Sequence, residues 1–112
     1  MKVLVETFGQ IEIYFEAVNE CLSLSELLPD DTEEQILKIA QDNILFMAKV
    51  TASLKGCGIE GESVYLGGCI YSCEEDFYIR YKDEYFSDMK AEAIENLRVE
   101  VGQAKEILKN FK

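Results

Sequence analysis

At 112 residues the chain has the size of one ordinary domain, and 48% hydrophobic content with 11% aromatics is globular rather than disordered. It carries 22 Asp and Glu against 11 Lys and Arg, a net charge of −11, and no histidine. Such a field repels nucleic acid and anionic membranes and favours basic protein surfaces, while the usual neutral-pH proton shuttle and the commonest metal ligand are both missing, which disfavours ordinary enzyme chemistry.

Met1-Lys2-Val3-Leu4-Val5-Glu6 meets a carboxylate after three apolar residues, so it does not read as a signal peptide. No run approaches the roughly 18 apolar residues of a membrane span, and the expectation is a soluble, cytoplasmic protein that binds no membrane. Residues 1–28 admit two readings. As strands, Val3-Leu4-Val5 and Ile11-Glu12-Ile13-Tyr14-Phe15 flank a Gly9-Gln10 hairpin turn, but Glu6 then falls on the apolar face. As a helix, Leu4, Phe8, Ile11, Phe15, Val18 and Leu22 form one long stripe. The length of that stripe favours the helix.

Next, Thr32 with Gln35 three residues on is a capping box, and Glu33 and Glu34 suit the positive end of a helix. The reading is a helix over residues 32–55, striped by Ile36, Ala40, Asn43, Met47, Val50 and Leu54 and ended at Gly56-Cys57-Gly58. Asn43 reads there as a register-fixing residue rather than a ligand contact.

Residues 63–86 are again ambiguous: Leu66, Ile70, Cys73, Phe77 and Tyr81 make a helical stripe, whereas Gly67-Gly68 speaks for a strand or turn. Ser87 then caps a helix over residues 88–110, with Ile94, Leu97, Val101, Ala104, Leu108 and Phe111 along one side. The expected fold is a mainly α, four-helix up-and-down bundle in a single domain. The alternative is a small α+β domain with an N-terminal β-hairpin and two long helices.

Motifs of catalysis are absent: there is no GxGxxG, no phosphate-binding Gly-Lys-Ser/Thr loop, no GxSxG, and no histidine to activate Cys21, Cys57, Cys69 or Cys73. Those cysteines have poor zinc spacing, with one C-x3-C pair and no CxxC, and read as reduced thiols. Asp30, Asp31, Glu33 and Glu34 lack the alternation of a calcium loop. No enzyme activity, metal or cofactor is expected.

One segment stands out. Five of the six tyrosines lie between Tyr65 and Tyr85, interleaved with Glu74, Glu75, Asp76, Asp83 and Glu84. On a helix Tyr71, Tyr78 and Tyr85 share an outward stripe, seven residues apart. Tyrosine offers rigid contact area and carboxylates pair with Arg or Lys, so the candidate partner-binding residues are Tyr71, Glu74, Glu75, Tyr78, Asp83, Glu84 and Tyr85. The charge is uneven too: residues 1–28, 29–62 and 63–88 each sum to −4, whereas 89–112 sum to +1. In size, charge and expected shape the chain resembles the acidic immunity proteins that neutralise nuclease bacteriocins, and is similar to phage-encoded inhibitors of host defence nucleases, including anti-CRISPR proteins. The resemblance implies an inhibitor that masks a basic, nucleic-acid-handling protein; no motif is shared residue by residue, and no family site is carried over. The other expectation is a structural or regulatory homo-oligomer, in which the exposed tyrosines are dimer contacts.

Overall fold

The computed structural model describes residues 2–111. It is an α+β fold and corrects the expected bundle: four antiparallel strands, β1 (Lys2–Phe8), β2 (Ile11–Val18), β3 (Ile44–Leu54) and β4 (Val64–Tyr71), form one meander in the order β1-β2-β3-β4. Two helices, α1 (Leu24–Leu27) and α2 (Glu33–Asp42), interrupt the meander between β2 and β3. After β4 the chain makes two π-type turns, Asp76–Arg80 and Lys82–Phe86, that lead into α3 (Ser87–Lys109). The α+β alternative had the hairpin and one long helix, but its second long helix is instead the short α2 followed by the longest strand.

Gly9, at φ 62°, takes the first central position of a tight hairpin turn, a conformation that glycine adopts without strain. The objection to this hairpin was Glu6. A register shift between Leu4 and Glu6 turns Leu4 to the outer face opposite Tyr14 and leaves Glu6 opposite Ile13, on the α3 side. There the Glu6 carboxylate meets the Lys90 ammonium at 2.9 Å. A charge on the apolar face is tolerated because α3 brings its counter-ion.

The capping box of α2 forms as expected, with Gln35 N–H donating to Thr32 Oγ1 at 3.3 Å and Thr32 N–H donating to Gln35 Oε1 at 2.8 Å. The helix nevertheless stops at Asp42 rather than running to residue 55. Asn43 is extended (φ −137°, ψ 160°) and its side-chain amide donates to the Ile39 carbonyl, which satisfies one of the last helical acceptors. From there Phe46, Ala48, Val50 and Ala52 alternate onto the inner face of β3, all buried. They pair with β2 across Ile13↔Ala52, Phe15↔Val50 and Ala17↔Ala48.

The helix α3 covers this inner face with Met89, Ala93 and Leu97. The alanines of β3 leave room for it. Ser87, expected as its cap, makes no capping bond, because the preceding Phe86 is already helical and the π turn runs directly into α3. An aromatic knot closes one end of the core: Phe77 packs on Phe15 (5.6 Å), Phe46 (6.2 Å), Tyr71 (5.5 Å) and Phe86 (6.1 Å).

The molecule is a rod of 66 × 23 × 21 Å, with a radius of gyration of 17.4 Å where a compact chain of this length would have about 13 Å. Both ends project. Helix α2, which buries none of its residues, stands beyond the start of β3, and α3 outruns the sheet beyond Leu54. No helix among the described residues is long and apolar enough to cross a membrane.

Candidate functional site

The segment rich in tyrosine and acid is not a regular helix. The Tyr81 N–H donates to the Asp76 carbonyl at 2.8 Å, five residues back, and Glu84 has non-helical φ −89°, ψ −119°. A wider turn and a kink destroy the seven-residue repeat that would have aligned Tyr71, Tyr78 and Tyr85. Tyr71 ends β4 and lies against Phe46 and Phe77, while Tyr78 packs at a tilt against Phe15 at 4.8 Å and Phe86 at 6.5 Å. Burial pushes both phenols up, helped at Tyr71 by Cys69, Glu84 and Tyr85 and at Tyr78 by Glu75 and Glu74. Only Tyr85 of the three is outward, 58% exposed.

The seven candidate residues therefore fall into two groups on either side of Phe77. Glu74, Glu75 and Tyr78 lie on the β2 side. Tyr71, Asp83, Glu84 and Tyr85 converge at the outer end of β4, and there the surface is concave. One groove of about 240 Å³ is lined by Asn43, Tyr71, Asp76, Arg80 and Glu84 among others. A second, of about 290 Å³, runs along β4 from Leu66 to Tyr71 and is closed by Tyr85. A third hollow of about 420 Å³ is lined by Asp83, Glu84, Tyr85 and Asp88 alone. Tyr71, Glu84 and Tyr85 are each shared by two of these grooves.

Asp88, Asp76 and Asn43 belong to this surface and were missed as site residues. The acids beside the tyrosines were visible in sequence, but nothing there signals that Asn43, 28 residues before Tyr71, folds beside it.

The carboxylates here are uncompensated. Among the described residues the salt bridges join Lys2–Glu60, Lys49–Glu16, Lys90–Glu6, Arg98–Glu95 and Lys109–Glu106, and none includes Glu74, Glu75, Asp76, Asp83, Glu84 or Asp88. Asp76 instead accepts from the Ser72 hydroxyl, and Arg80 lies over the Tyr81 ring at 5.3 Å.

Cys69 is buried opposite Phe46, and burial pushes its thiol up, which makes it a core residue rather than a nucleophile. Cys21 and Cys57 are exposed, Cys73 is half-buried, and all four are free thiols. Among the described residues no group of three Cys, Asp or Glu is placed to hold a metal ion.

Compared with protein-family models, curated proteins and solved structures, the chain matches none. What the fold defines is a two-layer α+β rod with an acidic, tyrosine-centred hollow at one end.

Proposed function

We propose that the protein is a small acidic inhibitor that masks a basic surface of a nucleic-acid-handling protein. The observation that carries this reading is Tyr85, an exposed aromatic among Asp83, Glu84 and Asp88, none of which has a cationic partner among the described residues. Unpaired carboxylates beside concave surface match the Arg and Lys that would otherwise hold phosphates, and a rigid aromatic at their centre supplies the apolar anchor. The charge and size that underlie the likeness to immunity and anti-defence proteins stand; the part of the likeness that rested on a helical bundle does not.

Charged groups at such an interface set mainly how fast the complex forms, and the anchor sets how slowly it comes apart. Immobilised protein should retain a basic nucleic-acid-binding protein from lysate of the host cell at about 50 mM salt, and far less at about 500 mM. Tyr85→Ala should speed dissociation by roughly thirty-fold, on the order of 2 kcal/mol. Asp83→Asn with Glu84→Gln should slow association, with the difference shrinking at high salt. Retention of only non-basic proteins, or a catch indifferent to salt and to all three substitutions, would dismiss the reading.

A further inference from the structure

The apolar stripe of α3 continues past the sheet that it covers. Leu97 is buried and Val101 half-buried, yet Ile107 and Leu108 on the same helix and Phe111 just past its end are 67%, 68% and 80% exposed. At the root of this projection lies a groove of about 260 Å³ bounded by Ile11, Leu54, Val101 and Lys105, among others. Arg98, Lys105 and Lys109 recur at seven and eleven residues, two and three helical turns, and so line one flank of the stripe, with Arg98 and Lys109 in exposed pairs with Glu95 and Glu106 that a stronger acidic neighbour can displace.

The opposite end of the rod is the complement. Helix α2 buries none of its residues, and Leu37 is 63% exposed. Residues 29–43 carry Asp30, Asp31, Glu33, Glu34 and Asp42 against Lys38 alone. Glu33 and Leu37 are one turn apart on the same face, with Glu34 at its edge. The 10 residues of α2 span about 15 Å, close to the length of α3 beyond the sheet.

We propose that the occupant of the α3 stripe is a second copy of this chain, its α2 lying along residues 101–111 with Leu37 in the groove beside Val101 and its Glu33 and Glu34 facing Lys105 and Lys109. Two observations carry this: the α3 stripe and Leu37 both present exposed apolar side chains, and the charges beside them are opposite. The contact is heterologous, one end of a copy against the other end of its neighbour; two antiparallel rods satisfy it twice, and a row of rods satisfies it once per neighbour. It leaves Tyr85, Asp83 and Glu84 unaltered, so it stands apart from the inhibitory reading.

Sedimentation velocity from about 10 μM to 1 mM, in low and in high salt, tests it with two charge-reversed variants. One is Glu33→Lys with Glu34→Lys, which sets lysines against Lys105 and Lys109; the other is Lys105→Glu with Lys109→Glu, which sets glutamates against Glu33 and Glu34. Wild type should associate, more strongly at low salt, and each variant alone should associate at least tenfold more weakly. An equimolar mixture of the two should recover association, because each end then meets an opposite charge. As a check that does not touch the α2 cap, Leu108→Ser with Phe111→Ser should abolish association while leaving circular dichroism unchanged, as both side chains are exposed. Monomeric wild type at 1 mM, either charge variant associating alone as well as wild type, or a mixture that stays monomeric would overturn the proposal.

Discussion

The same substitution, glycine to alanine, should act with opposite sign at two positions of this chain. Gly61, in the turn between β3 and β4, lies against the backbone of α3. A methyl group there would sit 2.7 Å from the Asn96 carbonyl carbon and 2.8 Å from the Leu97 Cα, atoms that cannot step aside without moving the helix. Two hydrogen bonds hold that approach in place, Gly61 N–H to the Ala52 carbonyl and the Asn96 side-chain amide to the Glu62 carbonyl, each 3.0 Å. Overpacking against fixed backbone costs about 1–3 kcal/mol, and weakening either bond adds about 1 kcal/mol, so Gly61→Ala should lose about 3 kcal/mol. At Gly102, within α3, a methyl group would meet nothing within 4 Å, and Gly102→Ala should gain about 0.5–1 kcal/mol of helix stability. Urea unfolding followed by circular dichroism measures both; with a slope of about 1–3 kcal/mol per molar, the two midpoints should separate by more than about 1 M. A Gly61→Ala midpoint at or above that of wild type would refute the packing of α3 against this turn.

Tyr78→Ala should cost about 2 kcal/mol of stability, because it removes a ring packed against Phe15 and Phe86, whereas Tyr85→Ala should stay within about 0.5 kcal/mol of wild type; equal costs in urea would contradict the split of the tyrosines. Lys90→Met should cost about 1 kcal/mol, since it strands the Glu6 carboxylate beside Ile13, and Glu6→Gln in the same chain should recover part of the loss; a neutral Lys90→Met would contradict that pairing. The Glu20 carboxylate, which accepts from the Gly68 N–H and also from those of Leu22 and Cys21, is held below its ordinary range. A lowered carboxylate pKa contributes stability above the ordinary range that is lost as pH falls through the folded value. Acid unfolding below about pH 5 should therefore be shallower in Glu20→Ala than in wild type, and parallel curves would exclude the role of that contact.

How much of this was legible depends on what each signal reports. The Thr32-Gln35 capping box is local chemistry, and it placed the start of α2 correctly. Its end was misjudged because Ile36, Ala40, Met47, Val50 and Leu54 fit a helical period while Phe46, Ala48, Val50 and Ala52 fit a period of two. A central strand flanked on both sides has few polar residues to break the tie. Residues 1–28 failed in a related way, since a stripe longer than a strand turned out to be two strands and the connection after them read end to end. Glu6 counted against the hairpin only while Lys90, 84 residues away, was unknown to it. In the candidate site the acids and Tyr85 were legible as composition, but Tyr71 turns inward because it shares the Cys69 face of β4, and Tyr78 because of a wider turn for which the sequence has no signature. α3 was read almost to its last residue, because one amphipathic helix on one sheet face leaves its period intact.

The central claim is that the hollow around Tyr85 occupies a surface its partner uses for nucleic acid. Fluorescence anisotropy of a labelled duplex bound to the retained basic protein tests this most directly. Titrating in this protein should release the duplex in proportion to occupancy, and the combined Tyr85→Ala, Asp83→Asn, Glu84→Gln variant should release little of it at the same concentration. A ternary complex, with the duplex still bound while this protein saturates its partner, would contradict the account.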